Sequence, residues 1–309
     1  MVINKSPQLA VELNGLKLKN PVIAASGTFG YGLEYKELMD LNRLGGIVVK
    51  GISLWEEKGN AAPRIYETPA GMLNAIGLQN VGVHNFLREK LPQLKIFNTA
   101  IIVNIWGRTI DDYVKVAEQL SHSEDIDALE VNISCPNIKQ GGMSFGQDEK
   151  MTYQLVKAVK KATQLPLIVK LTPNVTNPAN IAQSAEDAGA HSISLINTLL
   201  GMVIDIETKK PVLSNITGGL SGPAIRPVAL RMVWQVASAV SIPVIGLGGI
   251  ASAEDALQFL IAGAQAVQIG SANFRDPLTC LKVIEGIEAY LIQHNFQDIN
   301  QLIGTIEIE

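Results

Sequence analysis

Two lysines, three asparagines and a cysteine mark the ends of apolar stretches in this chain. Lys50 lies in "GIVVKG", Asn104 in "AIIVNIWG", Asn132 and Cys135 in "ALEVNISC", Lys170 in "LIVKLTP", and Asn197-Thr198 in "SISLINT". Burying an amide without a hydrogen-bond partner costs roughly 2–7 kcal/mol, and an unpaired charge costs more. One polar residue of this kind is explained by a strand meeting water. Five of them on buried-type stretches indicate a shared ligand. Two cations beside a ring system can stabilise negative charge on a reduced cofactor, which fits a flavin.

Cys135 is one of two cysteines, the other being Cys280. A buried cysteine is ordinarily a small hydrophobe. Cys135, however, ends an apolar run and precedes Pro136, which stops a strand and forces a turn. The polar, glycine-rich "NIKQGGMSFGQDEK" (137–150) follows, of the kind that closes over a substrate. A thiol there, near lysines, can shift toward thiolate and act as base or nucleophile. Ser134 competes for that role and otherwise supports the turn. "NAIGLQN" (74–80) offers two asparagines and a glutamine around a bend. That suits a small planar amide or imide with a carboxylate, and equally a turn held by asparagine.

"GLGGIA" (246–251) and "QIGSA" (268–272) put glycines before helices, where backbone N–H groups can face a phosphate. The first matches the G-x-G-x-x-A dinucleotide pattern. A Rossmann fold is nonetheless rejected: the motif comes late, and the acidic residue expected about 20 positions on is replaced by Gln268. A mononucleotide phosphate fits better.

The elements that position these residues are eight apolar runs: 21–26, 46–51, 100–107, 128–135, 167–173, 192–198, 243–249 and 266–272. They are nearly continuous rather than alternating, as in strands buried on both faces of a parallel sheet. Helical patterns lie between them. Thr109 with Asp112, Asn177 before Pro178, and Ser252 with Asp255 are start signals, and Gly189 and Gly263 are stops. "AGAHSISLINT" and "AGAQAVQIGSA" form a weak internal repeat. Eight strand–helix units favour an α/β fold of the (β/α)8 TIM-barrel type, whose chemistry gathers at the C-terminal strand ends. "LAVELNGLKLKN" (9–20) is expected to be an N-terminal hairpin capping the barrel bottom. The stretch 201–222 is expected to be a hairpin insertion after strand 6. No linker divides the chain, so residues 1–309 are expected to form a single barrel domain.

With 25 basic and 29 acidic side chains the net charge is −4, which argues against nucleic acid or an anionic membrane as the main partner. No signal peptide or spanning segment is visible, and a cytoplasmic location is expected. Four scattered histidines disfavour a metal site, and two cysteines cannot ligate an iron–sulfur cluster.

The ordered set "ASGTFG", "VVKGIS", "NAIGLQN", "VNISCPN", "VKLTPN", "INTLLGMVID", "GGLSGPAIRPVALRMV", "GLGGI" and "QIGSA" resembles dihydroorotate dehydrogenase, from about residue 7 to 290. Within that family it is most similar to the type 1B, NAD-linked catalytic subunits. The cysteine of "NISCPN" separates it from the membrane-associated class, which uses serine and carries an extra N-terminal segment. The resemblance implies an FMN-containing barrel that oxidises (S)-dihydroorotate to orotate in pyrimidine synthesis. It implies a partner subunit carrying FAD and a [2Fe–2S] cluster that passes electrons to NAD+, in a heterotetramer built on a homodimer of this chain.

Carried over by position, the resemblance makes Cys135 the base that takes the C5 proton, and Lys50 a contact of both flavin and substrate. Asn74, Ala75, Ile76, Gly77, Leu78, Asn132, Asn197 and Thr198 would hold the substrate. Ser26, Lys50, Gly51, Asn104, Asn132, Lys170 and Ile196 would line the flavin. Gly222, Gly248, Gly249, Gly270 and Ser271 would hold its ribityl chain and phosphate. Ser271 stands where threonine is equally expected. Three other readings stay open: a fumarate-dependent type 1A enzyme, a dihydropyrimidine dehydrogenase-type flavin barrel, and a barrel kept only for binding.

Overall fold

Eight parallel strands close into a barrel in the computed structural model, which describes residues 6–134, 136–137 and 143–308. They are β1 (Val22–Ala24), β2 (Gly46–Ile52), β3 (Ala100–Ile105), β4 (Ala128–Asn132), β5 (Leu167–Lys170), β6 (Ser192–Leu195), β7 (Val244–Leu247) and β8 (Ala266–Ile269). Each pairs with the next, and β8 closes on β1 through Val267 opposite Val22. β4 to β8 are buried at every position, which is why their sequences show no alternation. In β2 the one position not fully buried is Lys50.

The main outer helices are α1 (Ile110–Leu120), α2 (Glu149–Ala162), α3 (Pro178–Asp187), α4 (Arg226–Ala237), α5 (Ala253–Ile261) and α6 (Thr279–Gln293). A helical segment over 82–94 joins β2 to β3. The expected starts are present. Thr109 Oγ1 accepts from Asp112 N at 3.2 Å, and Asp112 Oδ2 accepts from Thr109 N at 2.9 Å, a reciprocal cap on α1. Asn177 caps α3 by accepting from Ala179 N and Ser252 caps α5 by accepting from Asp255 N, each without the reciprocal bond. No helix among the described residues is long and apolar enough to cross a membrane.

The N-terminal hairpin pairs Val11–Leu13 with Leu16–Leu18. Its turn residues have φ of +46° at Asn14 and +101° at Gly15, the left-handed conformation a two-residue hairpin turn demands. Asn14 Nδ2 donates to His191 O, and Ser192 Oγ donates to Leu13 O. These contacts lie where β6 begins, so the hairpin covers the barrel bottom as expected.

The insertion after β6 is larger than one hairpin. Leu199–Gly201 pairs with Gly218–Ser221, and Ile204–Asp205 pairs with Lys210–Pro211 between them. Gly218–Ser221 then pairs with Gly71–Asn74, which pairs with Ile65–Thr68, giving a four-stranded antiparallel sheet. The strands over 65–74 are unforeseen by the apolar pattern, because Ile65, Tyr66 and Glu67 are exposed. Backbone pairing to the insertion, rather than burial, holds them. Asn74 therefore ends a strand instead of lying in a free loop.

Candidate active site

The closed topology brings the C-terminal ends of all eight strands to one mouth, and local contacts link the candidate residues there. Ser26 Oγ, just past β1, donates to Val49 O on β2 at 2.9 Å. A Cβ placed on Gly27 would lie 4.0 Å from Lys50 Nζ, and one on Gly51 would lie 2.8 Å from Asn104 Oδ1. β1, β2 and β3 thus converge on one spot.

Lys50 has no hydrogen bond or ion pair from its ammonium among the described residues. Burial pushes its pKa below the ordinary lysine value, and the nearby Arg64 cation adds to that shift. A largely buried cation whose strongest charged neighbour is another cation is an unfinished arrangement: the protein has borne much of the desolvation cost without a counter-ion among the described residues. An anion or electron-rich ring at this position completes it.

Glu130 is the residue the sequence reading passed over. It is fully buried in β4. Its Oε1 accepts from Asn104 Nδ2 at 2.7 Å and Lys170 Nζ at 3.2 Å. Its Oε2 accepts from Ser194 Oγ at 3.0 Å and Gln268 Nε2 at 2.6 Å. Lys170 Nζ also reaches Gln268 Oε1 at 3.5 Å. The donors come from β3, β5, β6 and β8, so the carboxylate lies inside the barrel with four donors around its two oxygens. The signal was present: a carboxylate in "ALEVNISC" is as anomalous as the lysines that drew notice.

Asn132 ends β4, nearly buried. Its carbonyl accepts from Tyr113 Oη at 2.6 Å and its Oδ1 from Ser134 N at 3.2 Å. Ser134 therefore does shape the turn, while its buried hydroxyl has no partner among the described residues. Cys135 and residues 138–142 lie outside the described residues. On either side of 138–142, Pro136–Asn137 pairs antiparallel with Met143–Ser144.

The polar loop over 74–78 sits beside this mouth. Asn74 Nδ2 donates to Gly219 O at 3.3 Å, and Ala75 N donates to Arg64 O at 2.8 Å. Ile76 O accepts from Asn60 N, and Gly77 and Leu78 follow with φ of +76° and +57°. Because Arg64 is tied to Ala75 and acts on Lys50, the loop and the cation share one electrostatic environment. Past β6, Asn197 N donates to Leu171 O and Asn197 Oδ1 accepts from Thr198 N at 2.8 Å. Any Cβ on Gly219 would strike Thr198, which locks the insertion sheet against the β6 end.

The glycine-rich side is equally close-packed. Buried Ile196 donates its N–H to Leu247 O, and its side chain lies 3.2 Å from where a Gly248 Cβ would be. A Cβ on Gly249, at φ +76°, would lie 2.7 Å from Gly222 O. One on Gly270 would meet Thr28 at 3.6 Å, so this backbone stays open to close approach, and Ser271 follows at the start of the short helix Ala272–Arg275.

The family described as dihydroorotate dehydrogenase matches residues 8–291. This chain belongs to the dihydroorotate dehydrogenase family. It is 56% identical over 300 residues to a "Dihydroorotate dehydrogenase B (NAD(+)), catalytic subunit" of Geotalea uraniireducens, covering 97% of this chain and 98% of that one. Proteins of the same name from Thermodesulfovibrio yellowstonii and Bacteroides thetaiotaomicron are 56% and 55% identical, each over 97% of this chain and 99% of theirs. The flavin that the dihydroorotate dehydrogenase family implies fits the donor set. A largely buried lysine with no ion-pair partner among the described residues, and a fixed lysine–amide group, suit an electron-rich ring. Gly270, where a Cβ would meet nothing nearer than 3.6 Å, leaves backbone open to a ligand's close approach.

Proposed function

We propose that this chain is the catalytic subunit of an NAD-linked dihydroorotate dehydrogenase, which oxidises (S)-dihydroorotate to orotate in pyrimidine synthesis. Lys50 carries the reading: a largely buried cation at the barrel mouth without an acidic partner among the described residues, in a chain that matches the family over 8–291. The substrate carboxylate is the kind of anion Lys50 lacks.

The reaction removes a proton from C5 and a hydride from C6. FMN, when bound, would supply the hydride acceptor. Ser26, Lys50, Gly51, Asn104, Asn132, Lys170 and Ile196 would hold its ring, and Gly222, Gly248, Gly249, Gly270 and Ser271 its ribityl chain and phosphate. Cys135, as thiolate, takes the C5 proton, a role supported by its place in the sequence three residues after Asn132, which ends β4. C5–H is weakly acidic, so amide donors at Asn74, Asn132 and Asn197, with Thr198, bind the ring and stabilise the charge that develops as the proton leaves. The segment Asn74 to Leu78 orients the ring and carboxylate, and Lys50 neutralises the carboxylate.

The relatives named as catalytic subunits support a second subunit, for which FAD and a [2Fe–2S] cluster would complete the path to NAD+. A cytoplasmic enzyme built as a heterotetramer follows the same reading. The test is a visible absorption spectrum of the purified chain before and after anaerobic addition of dihydroorotate. A yellow protein that bleaches is expected. A colourless protein, or a yellow one that dihydroorotate leaves unbleached both alone and with its partner subunit, overturns the reading.

A further inference from the structure

Glu130 itself has no part in the proton and hydride transfers just described, yet its contacts form the densest set of buried polar bonds in the barrel among the described residues. Its carboxylate is 0% exposed and its lysine partner nearly so, with side-chain exposures of 0% and 6%. The other mouth lysine, Lys50, has no acid partner among the described residues. The two lysines assigned to the flavin therefore differ in kind. One is an unpaired cation, and the other is half of a neutral ion pair whose anion is clamped by Asn104, Ser194 and Gln268.

The geometry points to Glu130 as the residue that tunes the flavin's reduction potential, by cancelling part of the positive field that Lys170 exerts on the reduced cofactor. A reduced flavin carries more negative charge than an oxidised one, so nearby positive charge favours reduction and nearby negative charge opposes it. In a buried, weakly screened site both effects are large for their distance. Glu130 is placed to act this way because its Oε1 holds Lys170 and Asn104 together, both of which are assigned to the flavin ring. The two remaining donors, Ser194 and Gln268, hold Oε2 from β6 and β8, so the carboxylate cannot swing away. Gln268 fits this role as well: its amide donates to Glu130 and accepts from Lys170, which an acidic residue could not do. The inference rests on the flavin reading given under Proposed function.

The experiment is a spectroelectrochemical titration of the bound flavin in the wild-type chain, Glu130→Gln, Lys170→Met and the double variant. Glu130→Gln keeps the side chain's shape and removes its charge. Its midpoint potential is expected to move positive, that of Lys170→Met negative, and that of the double variant to return close to wild type, because a neutral pair has been removed whole. A folded, flavin-loaded Glu130→Gln with an unchanged potential overturns the inference. So does a shift in the same direction as Lys170→Met, which would mean that the carboxylate only holds the lysine in place. If Glu130→Gln alone does not accumulate, the double variant, which leaves no unpaired buried charge, carries the test. Its potential must lie above that of Lys170→Met, and equality overturns the inference. A wild-type chain that binds no flavin would instead defeat the functional reading.

Discussion

Single residues carry the two sharpest consequences. Cys135, proposed as base, has two informative replacements. Cys135→Ala is expected to keep bound flavin and lose most turnover, while Cys135→Ser keeps a slow activity that rises with pH, because a hydroxyl gives up its proton less readily than a thiol. Near-wild-type turnover in the alanine variant would remove the cysteine from the mechanism. Lys50 makes a different prediction. Its burial disfavours the charged form in the free protein, so Lys50→Met should leave the flavin-free chain no less stable by chemical denaturation. The same change should cost on the order of a hundredfold in kcat/KM for dihydroorotate, the scale of losing one positioned electrostatic contact. Substrate affinity should also weaken as pH rises through the lowered lysine pKa. Lys50, Asn104 and Lys170 were legible from sequence by one rule, that charges and amides do not end buried strands idly. The rule applied equally to Glu130, missed because it was read as part of an apolar run, and to Gln268, noted only as the residue that breaks the dinucleotide pattern.

At the scale of elements, strands and caps were legible and tertiary pairing was not. β4 to β8 are buried throughout, so continuous apolar runs named them. Thr109, Asn177 and Ser252 stand at their helix starts because capping is local chemistry. Gly71–Asn74 escaped notice because its partner Gly218–Ser221 lies some 145 positions along the chain, as in the Asn74–Gly219 bond, and Ile65–Thr68 because it is an exposed edge strand that pairs only with Gly71–Asn74. The barrel bottom is held by contacts of another type, and they carry a pH dependence. His191 Nδ1 accepts from Leu167 N at 2.9 Å, its Nε2 lies 3.3 Å from Lys160 Nζ, and its carbonyl accepts from Asn14. Burial, then the Lys160 charge, pushes its pKa below the ordinary value. The folded state therefore prefers the neutral ring, while the unfolded chain binds a proton near pH 6.5. This contribution to stability is complete above the unfolded pKa and is lost as pH falls from about 6.5 toward the lower folded value. Urea unfolding of the wild type and His191→Gln between pH 5 and 8 checks it. The variant should have the flatter profile, and parallel profiles would exclude His191 as the source.

Across the whole molecule, the insertion sheet joins the loop proposed for the substrate to the turns proposed for the cofactor through backbone contact. A Cβ on Gly222, at φ +99°, would lie 2.6 Å from Gly71 Cα, and the Gly222 carbonyl is in turn what a Gly249 Cβ would strike. Gly71 begins the strand that ends in Asn74, and Gly218–Ser221, just before Gly222, pairs with that strand. One junction of three glycines therefore sets the spacing between the loop proposed to hold dihydroorotate and the turns proposed to hold the flavin phosphate. Gly222→Ala forces a left-handed alanine and opens that junction. It should cost more than the roughly 1 kcal/mol attached to a glycine-to-alanine change at a compatible site, and with the opposite sign to the stabilisation found there. If the junction positions both proposed sites, flavin retention on gel filtration and the KM for dihydroorotate should deteriorate together. Ala70, next to the same junction but followed by ordinary backbone contacts to Ala224, supplies the comparison: Ala70→Ser should leave both nearly unchanged. A Gly222→Ala protein that keeps its flavin at wild-type affinity while its KM rises would show that the two halves of the mouth are positioned independently, and that the sheet serves the substrate alone.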